Sequence, residues 1–452
     1  MTDPLSDTAR LCAELIRAQC VNDGTPTSGH EHRAVAILRD FLGTSGEVVE
    51  TAQGRESLVV RIPGSDPEAP SLSLMGHTDV VPVTEDGWSR DPFGGEVHDG
   101  YLWGRGAVDM LNVTAAMAVV AKRHLHGDVP QLPGDLVFFA VADEEAGGLL
   151  GAKHIVEERP DLVSVDYLLT EIAMPTIDTP AGPVIPVTAS EKGPAWRRYR
   201  AHGIPGHASQ PYGRISALVP AARAVARFAE DDGTAEITDE WRRFVAGLGL
   251  DTERERAWTD PDQIDEVIDT LAVDDPGFAR WVHACTRLTV TPTTLESGMK
   301  ANVVPDSASG DLDVRVLPGQ DADSVDDYFR KVLGPDLYDE LDIDVALDET
   351  ATASSAEGLL WESIGDAAEI VAGHRRLLPA LIPVGTDARF FRRQGTVAYG
   401  VGLFDDRVSF GDLLAMFHGN DERVSLDSLD LTTAFLDTTV TRFGARSAVS
   451  DG

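Results

Sequence analysis

Basic residues are scarce in this chain: 38 Lys and Arg stand against 75 Asp and Glu, a formal net charge of −37 at pH 7. A surface of that sign repels phosphate backbones and anionic lipid, so neither nucleic acid nor a membrane is an expected partner. Cysteine is nearly absent. Cys12, Cys20 and Cys285 are odd in number and widely spread. That excludes a disulfide framework or a thiolate metal cluster and points to reduced thiols in a reducing compartment. No apolar run is long enough to cross a bilayer. The stretch Met1-Thr2-Asp3-Pro4-Leu5-Ser6-Asp7 lacks the basic and apolar regions of a Sec signal peptide, and a cytoplasmic protein is expected. Internal repeats, low-complexity tracts and the G-x-S-x-G elbow of a serine hydrolase are missing too.

What is there is ample. The 452 residues are 42% hydrophobic, with a mean hydropathy of −0.11, enough for two or three domains with a sizeable core. Up to residue 193, helix-like and strand-like patterns alternate. Helices are predicted over 8–19, 31–42, 110–125 and 151–158, and strands over 57–62, 71–76 and from Leu136. This rhythm implies an α/β fold, a mostly parallel sheet with helices on both faces. The texture changes after Glu191-Lys192-Gly193-Pro194. A polar-alternating strand follows from Trp196, then a loop with His207 and an Ala/Val-rich helix from near Ile215. An acidic stretch with tryptophans covers 231–275, and alternating strands cover 288–295 and 310–316. Such alternation suits a small sheet with one covered face. The expected layout is a catalytic α/β domain in two parts, 1–193 and 318–452, interrupted by an inserted α+β domain over 194–317. The tail from 447 is expected to fray.

The polar residues of interest stand where apolar runs stop. Ser73-Leu74-Met75-Gly76 is followed by His77-Thr78-Asp79, and the run from Leu136 to Ala142 by Asp143-Glu144-Glu145. Tyr167-Leu168-Leu169 ends in Thr170-Glu171. Short apolar runs bounded by turns read as buried parallel strands, and ligands of open α/β sheets bind at the carboxyl ends of the strands. His77, Asp79, Glu144, Glu145 and Glu171 therefore converge on one edge. One imidazole and several carboxylates with no cationic partner call for positive charge, which a pair of divalent metals supplies. Taken singly, each residue has a plainer reading. Asp109 stands directly before a helix and suits an N-cap, the two glutamates suit a helix start, and His77 suits a buried core histidine. None of these explains the conjunction.

Gly76-His77-Thr78-Asp79-Val80-Val81-Pro82, Gly104-Arg105-Gly106-Ala107-Val108-Asp109-Met110 and Asp143-Glu144-Glu145 resemble the motifs of one metallopeptidase family. Its members include di-zinc aminoacylases, succinyl-diaminopimelate desuccinylases and glutamate carboxypeptidases. Gly206-His207-Ala208-Ser209-Gln210-Pro211, Ala301-Asn302-Val303-Val304-Pro305, Gly385-Thr386-Asp387-Ala388-Arg389-Phe390 and His418-Gly419-Asn420-Asp421-Glu422 are similar to its later motifs, in the same order. The resemblance covers nearly the whole chain and implies a catalytic domain interrupted by a lid that forms a homodimer.

The resemblance further implies two divalent ions, zinc by preference, with cobalt or manganese tolerated. His77 and Glu171 would hold one and Glu145 and His418 the other, bridged by Asp109. It casts Asp79 as the group that accepts the second N–H of His77. Glu144 becomes the general base, and His207 an oxyanion donor that reaches the partner subunit's site. Asn302, Arg315 and Arg389 match positions that hold the substrate's carboxylate or adjoining backbone, although a structural salt bridge remains a fair reading of Arg315. Two departures stand out. Leu111 replaces a common lysine, and Val384 replaces a common glycine, which narrows one wall of the pocket. The expected activity is hydrolysis of an N-acyl amino acid or small dipeptide. Glu171 leans towards deacylation, with dipeptidase or carboxypeptidase action the alternative, and a non-catalytic binding protein on the same fold the remote one.

Overall fold

The computed structural model describes residues 5–448. Of the tail expected to fray, 449–452 lie outside the described residues, and the last helix runs Leu426–Ser447. The main sheet has nine strands, and its centre is parallel. Leu136–Val141, Leu72–His77, Tyr167–Thr170 and Val397–Gly400 lie side by side and run the same way. Antiparallel strands extend it on both sides, beginning with Arg55–Ile62 and then Glu47–Ala52.

The first two of the four central strands are buried at every residue, because helices cover both faces. Successive side chains point to opposite faces. Leu74, Phe138 and Ala140 join the core against helices Asp7–Arg17 and Leu111–Leu125. Met75, Val137 and Phe139 join the core that includes Ile155 and Phe391. A continuous apolar run is what a strand covered on both faces requires.

The smaller sheet has the order Thr289–Pro292, Ser307–Val316, Arg197–His202, Leu341–Val345, all antiparallel. Arg197–His202 alternates buried and exposed along its length, so only one face is covered. Helices Leu218–Glu230 and Ala322–Tyr338 cover it, placing Phe228 and Phe329 against Tyr199 and Leu312. This sheet does not stop at 317, where the sequence pattern set its limit. A helix followed by a strand reads the same in either unit, and only the pairing of Leu341–Val345 with Arg197–His202 decides which sheet receives them.

The acidic stretch differs in the opposite sense. It folds into helices Asp239–Leu248, Thr252–Trp258 and Ile264–Asp274, and helix Pro276–Cys285 follows directly. Their apolar faces pack on the main sheet, with Trp241, Phe244 and Trp281 against Leu378 and Ile382 of Leu377–Ile382. The stretch therefore lies within the insert in sequence but builds a wall of the main domain in space.

Candidate active site

Three adjacent parallel strands end together, and each is followed by acidic residues. His77 closes one strand, and Glu171 follows Tyr167–Thr170. Glu144 and Glu145 sit in the one-turn 3-10 helix Glu144–Ala146 beyond Leu136–Val141. A small second ladder brings in the remaining two groups. Strand Tyr101–Trp103 pairs antiparallel with Arg423–Ser425, so the loop leaving Trp103, which carries Asp109, lies beside the loop entering Arg423, which carries His418.

Asp109 is the centre of the cluster. Its Oδ1 lies 3.2 Å from Nε2 of His77, and its Oδ2 lies 3.4 Å from Nε2 of His418. Glu171 Oε2 stands 3.6 Å from the first imidazole, and Glu145 Oε2 stands 3.1 Å from the second. Each end of one carboxylate thus faces a histidine with a glutamate beside it. The capping reading of Asp109 fails: the helix begins at Leu111 and has no side-chain cap. The helix-start reading of the glutamates fails as well, because their turn is three residues long.

Asp79 behaves differently from expectation. Nδ1 of His77 lies 2.9 Å from the backbone carbonyl of Asp79, whereas the carboxylate is 3.7 Å away. A carbonyl can only accept, so Nδ1 carries the proton and Nε2 turns its lone pair to the cluster. The carboxylate of Asp79 instead accepts the amide N–H groups of Glu144, at 3.3 Å, and Glu145, at 3.1 Å. Its role is to hold the turn that carries both glutamates.

A buried polar network continues behind it. Asn22 donates to Asp79 at 2.8 Å, and Arg55 donates to Asn22 at 2.9 Å and to Glu31 at 2.6 Å. Arg55 also lies 3.3 Å from Asp143, the residue that precedes the turn. On the other side, Glu422 accepts the amides of Val108 and Asp109 at 2.7 and 3.0 Å and pairs with Arg105 at 2.8 Å. Sequence reasoning passed over Asn22 and Arg55, and it quoted Asp143 and Glu422 without giving either a role. Acidic and basic residues of this kind are ordinary on a surface, and only their complete burial reveals the network.

The electrostatics favour a cation among these groups. Burial and Glu171 raise the Glu144 carboxyl well above its ordinary range, and burial and Asp109 push Glu145 up to about 7. Burial also raises Glu171. Asp109 goes the other way: burial is outweighed by His418 and His77, which hold it down. Asp109 and Glu145 lift His418 to about 10. Oε1 of Glu145 and both carboxylate oxygens of buried Asp387 have no hydrogen-bond partner. His77, Asp109 and Glu145 present ligand atoms within 4.8 Å of one another, and so do His77, Glu144 and Glu171. Two imidazoles and several carboxylates, with orphaned oxygens and no lysine among them, fit divalent metal.

The remaining expected site residues divide. Arg315 and Arg389 border the cavity of about 430 Å³ that opens onto the cluster. Arg315 is bidentate to Asp313, at 2.7 and 3.0 Å. Arg389 donates to the carbonyls of Thr386, at 2.6 Å, and Gly147, at 2.7 Å. His207 and Asn302 do not border that cavity. Both are exposed: His207 is on the ladder Gly206–His207 with Val303–Val304, Asn302 stands directly before Val303, and Ala208 N–H donates to the Asn302 carbonyl.

Residues 73–442 match the profile of peptidase family M20/M25/M40. Aminoacylase-1 of Sus scrofa is 28% identical over 417 residues, which is 89% of each chain. Among solved structures, an M20 family metallo-carboxypeptidase from Sulfolobus solfataricus superposes with a TM-score of 0.73 at 17% identity, covering 98% of this chain and all of the other. Human carnosine dipeptidase 1 gives 0.70 at 16%, covering 97% and 96%. At those identities the two structures establish the shared fold.

Proposed function

This chain belongs to peptidase family M20/M25/M40, and on that premise we propose that it is a metal-dependent amidohydrolase cleaving N-acyl amino acids or small dipeptides. The observation that carries this reading is Asp109, with one oxygen towards His77 and the other towards His418. His77 and Glu171 would hold one ion and Glu145 and His418 the second, with Asp109 between them. Zinc suits this donor set, with cobalt or manganese as substitutes. Bound there, the ions polarise the scissile carbonyl and acidify the attacking water. Glu144 borders the cavity and takes the water's proton as the new C–O bond forms. It then hands that proton to the nitrogen as the C–N bond breaks. Asp79 keeps Glu144 aimed by fixing its turn. Glu171 and the similarity to aminoacylase-1 favour deacylation over dipeptide cleavage.

His207 serves a second copy of the chain in this reading. Ser209 N–H donates to its Nδ1 at 3.2 Å, which leaves the proton on Nε2 as a free donor for an oxyanion. Tyr212, Ile215 and Val219, which follow it in the chain, and Met299 are exposed, apolar surface of the kind an interface covers. A homodimer formed through the lid would cover this surface and carry His207 to the partner's cavity. All three cysteines are buried and unpaired, in keeping with a reducing cytoplasm, and among the described residues no helix is long and apolar enough to cross a membrane.

A release assay tests the activity. Metal-loaded protein is given N-acetyl, N-succinyl and N-carbamoyl amino acids alongside dipeptides, before and after chelation. Hydrolysis should stop on chelation and return with divalent metal, and His77→Ala and His418→Ala should each lower bound metal. Hydrolysis indifferent to chelator, or full metal content in both variants, would sink the proposal. For the dimer, His207→Ala should lose kcat while keeping its metal, and mixing it with His77→Ala should restore activity after subunit exchange. A fully active monomer, or no complementation despite proven exchange, rules out the role of His207 across the interface.

A further inference from the structure

The two halves of the metal cluster are held by different means. His77 and Glu171 stand at the ends of adjacent parallel strands, both buried. His418 sits outside the sheet, and its side chain is 58% exposed. The chain after it is tied down. Asp421 accepts from the amide and hydroxyl of Ser89, at 2.7 and 2.9 Å, and Glu422 grips the loop of Asp109. The chain before it is the short helix Phe410–Met416. With a φ of 55°, His418 is the left-handed residue that closes this helix, and Gly419 N–H donates to the Met416 carbonyl at 2.9 Å. Where the helix lies therefore sets where the imidazole points.

Seven residues make too short a helix to stand alone, so its neighbours must hold it. On one side Leu413 and Met416 pack with Val108, the residue before Asp109. On the other side the helix leans on Pro276–Cys285, which belongs to the insert. Phe410 meets the rings of Phe278 and Trp281 edge-on, with centroids 5.1 and 5.7 Å apart. Next to these rings two glycines face each other, one at the start of each helix. A methyl on Gly277 would lie 2.5 Å from Cα of Gly411, and one on Gly411 would lie 2.7 Å from Oδ1 of Asp275. That oxygen already caps Pro276–Cys285 by accepting from Phe278 N–H at 2.9 Å. Neither glycine has a positive φ, so neither is needed to turn the chain. What the missing side chains permit is close approach of the two helices.

Resting on the metal assignments of the proposed function, we propose that the contact of Gly277 with Gly411 positions His418. The insert helix Pro276–Cys285 seats Phe410–Met416 at the depth from which His418 reaches Asp109 and Glu145. The insert thereby completes one half of a metal centre whose ligands all lie outside it. A close-packed interior transmits a wedge instead of absorbing it. A side chain at 277 would carry the helix, and with it Nε2 of His418, away from Glu145 Oε2, now 3.1 Å distant. His77 and Glu171, fixed by the sheet, would not follow.

Gly277→Ala tests this, because helix propensity and the wedge point in opposite directions. Alanine suits a helix better than glycine, so without a positioning role the variant should bind metal as the native protein does. With that role, the ion at His418 should bind ~10-fold more weakly or worse, with the circular dichroism spectrum unchanged. Metal-loaded protein is equilibrated at falling concentrations of free zinc, and the zinc retained per chain is measured. Gly411→Ala, whose methyl meets a movable carboxylate, should show the same pattern with a smaller loss, and it carries the test if Gly277→Ala does not fold. A double-mutant cycle locates the effect. In His418→Ala protein, Gly277→Ala should change the affinity of the remaining ion by less than ~2-fold. In His77→Ala protein it should again cost ~10-fold or more. Equal losses in both backgrounds, or no loss in the native background, overturn the inference and leave the metal assignments standing. Native protein that retains no zinc removes those assignments, and this inference with them.

Discussion

Glu144→Gln protein is expected to retain its full metal content and lose turnover by ~10²–10⁴-fold, the usual contribution of a positioned proton acceptor. Glutamine keeps the shape and the backbone bond to Asp79, so the turn stays where Asp79 holds it at 3.3 and 3.1 Å. What it loses is the ability to take a proton. The result separates two roles the geometry allows, because Glu144 also presents an oxygen within 4.8 Å of the ligand atoms of His77 and Glu171. If it were a ligand, the variant would bind less metal. Metal analysis beside steady-state kinetics reads both quantities. A metal-replete variant with near-native kcat removes Glu144 from the mechanism, and a metal-depleted one moves it into the ligand set.

Arg55→Met is expected to lower unfolding stability by ~3–5 kcal/mol, because removing one member of a buried ion network leaves the others charged and uncompensated. Arg55 is 1% exposed and Glu31 is fully buried, so water cannot take the place of the guanidinium. Burial already lifts the Glu31 carboxyl to about 7, and without Arg55 its charged form would be less favourable still. The loss should reach function too, since Asn22 links Arg55 to the carboxylate that anchors Glu144 and Glu145. Urea denaturation of the two proteins, with metal content matched, measures the effect. Removing Glu31 as well, in Arg55→Met/Glu31→Met, should recover part of the stability because one stranded charge disappears with its partner. A single variant within about 1 kcal/mol of the native protein would show that the network is not what stabilises this side of the site.

Much of the layout is legible in the sequence. The predicted helix over 110–125 is observed as Leu111–Leu125 and the strand over 71–76 as Leu72–His77, since a continuous apolar run has few other places to go. The alternation at 310–316 likewise reports a sheet covered on one face, observed as Ser307–Val316. Edge strand Glu47–Ala52 escaped, for none of its residues is buried and so none had to be apolar. The helices of the acidic stretch escaped because charged faces masked the few large side chains that anchor them. Arg315 and Arg389 were legible as cations. The salt-bridge reading of Arg315 is the one observed, with Asp313 two residues back on the same strand, whereas the carbonyls of Thr386 and of Gly147 in a distant turn, which engage Arg389, were not legible.

The sequence alone determined which polar residues stand at the ends of the apolar runs. Apolar runs must be buried, their ends must coincide where parallel strands stop, and the acidic residues placed there meet with no basic partner in their own motifs. Tertiary structure decided everything that depends on a partner remote in the chain. It showed that Asp79 holds the glutamate turn with its carboxylate and His77 with its carbonyl. It showed that Glu422 fixes the loop of Asp109, that Leu341–Val345 completes the small sheet, and that Trp281 crosses from the insert to the main cavity. Local patterns follow from the period of a helix or strand and need only neighbouring residues. A hydrogen bond or a packed ring across hundreds of residues depends on how the chain closes on itself, which no local period contains.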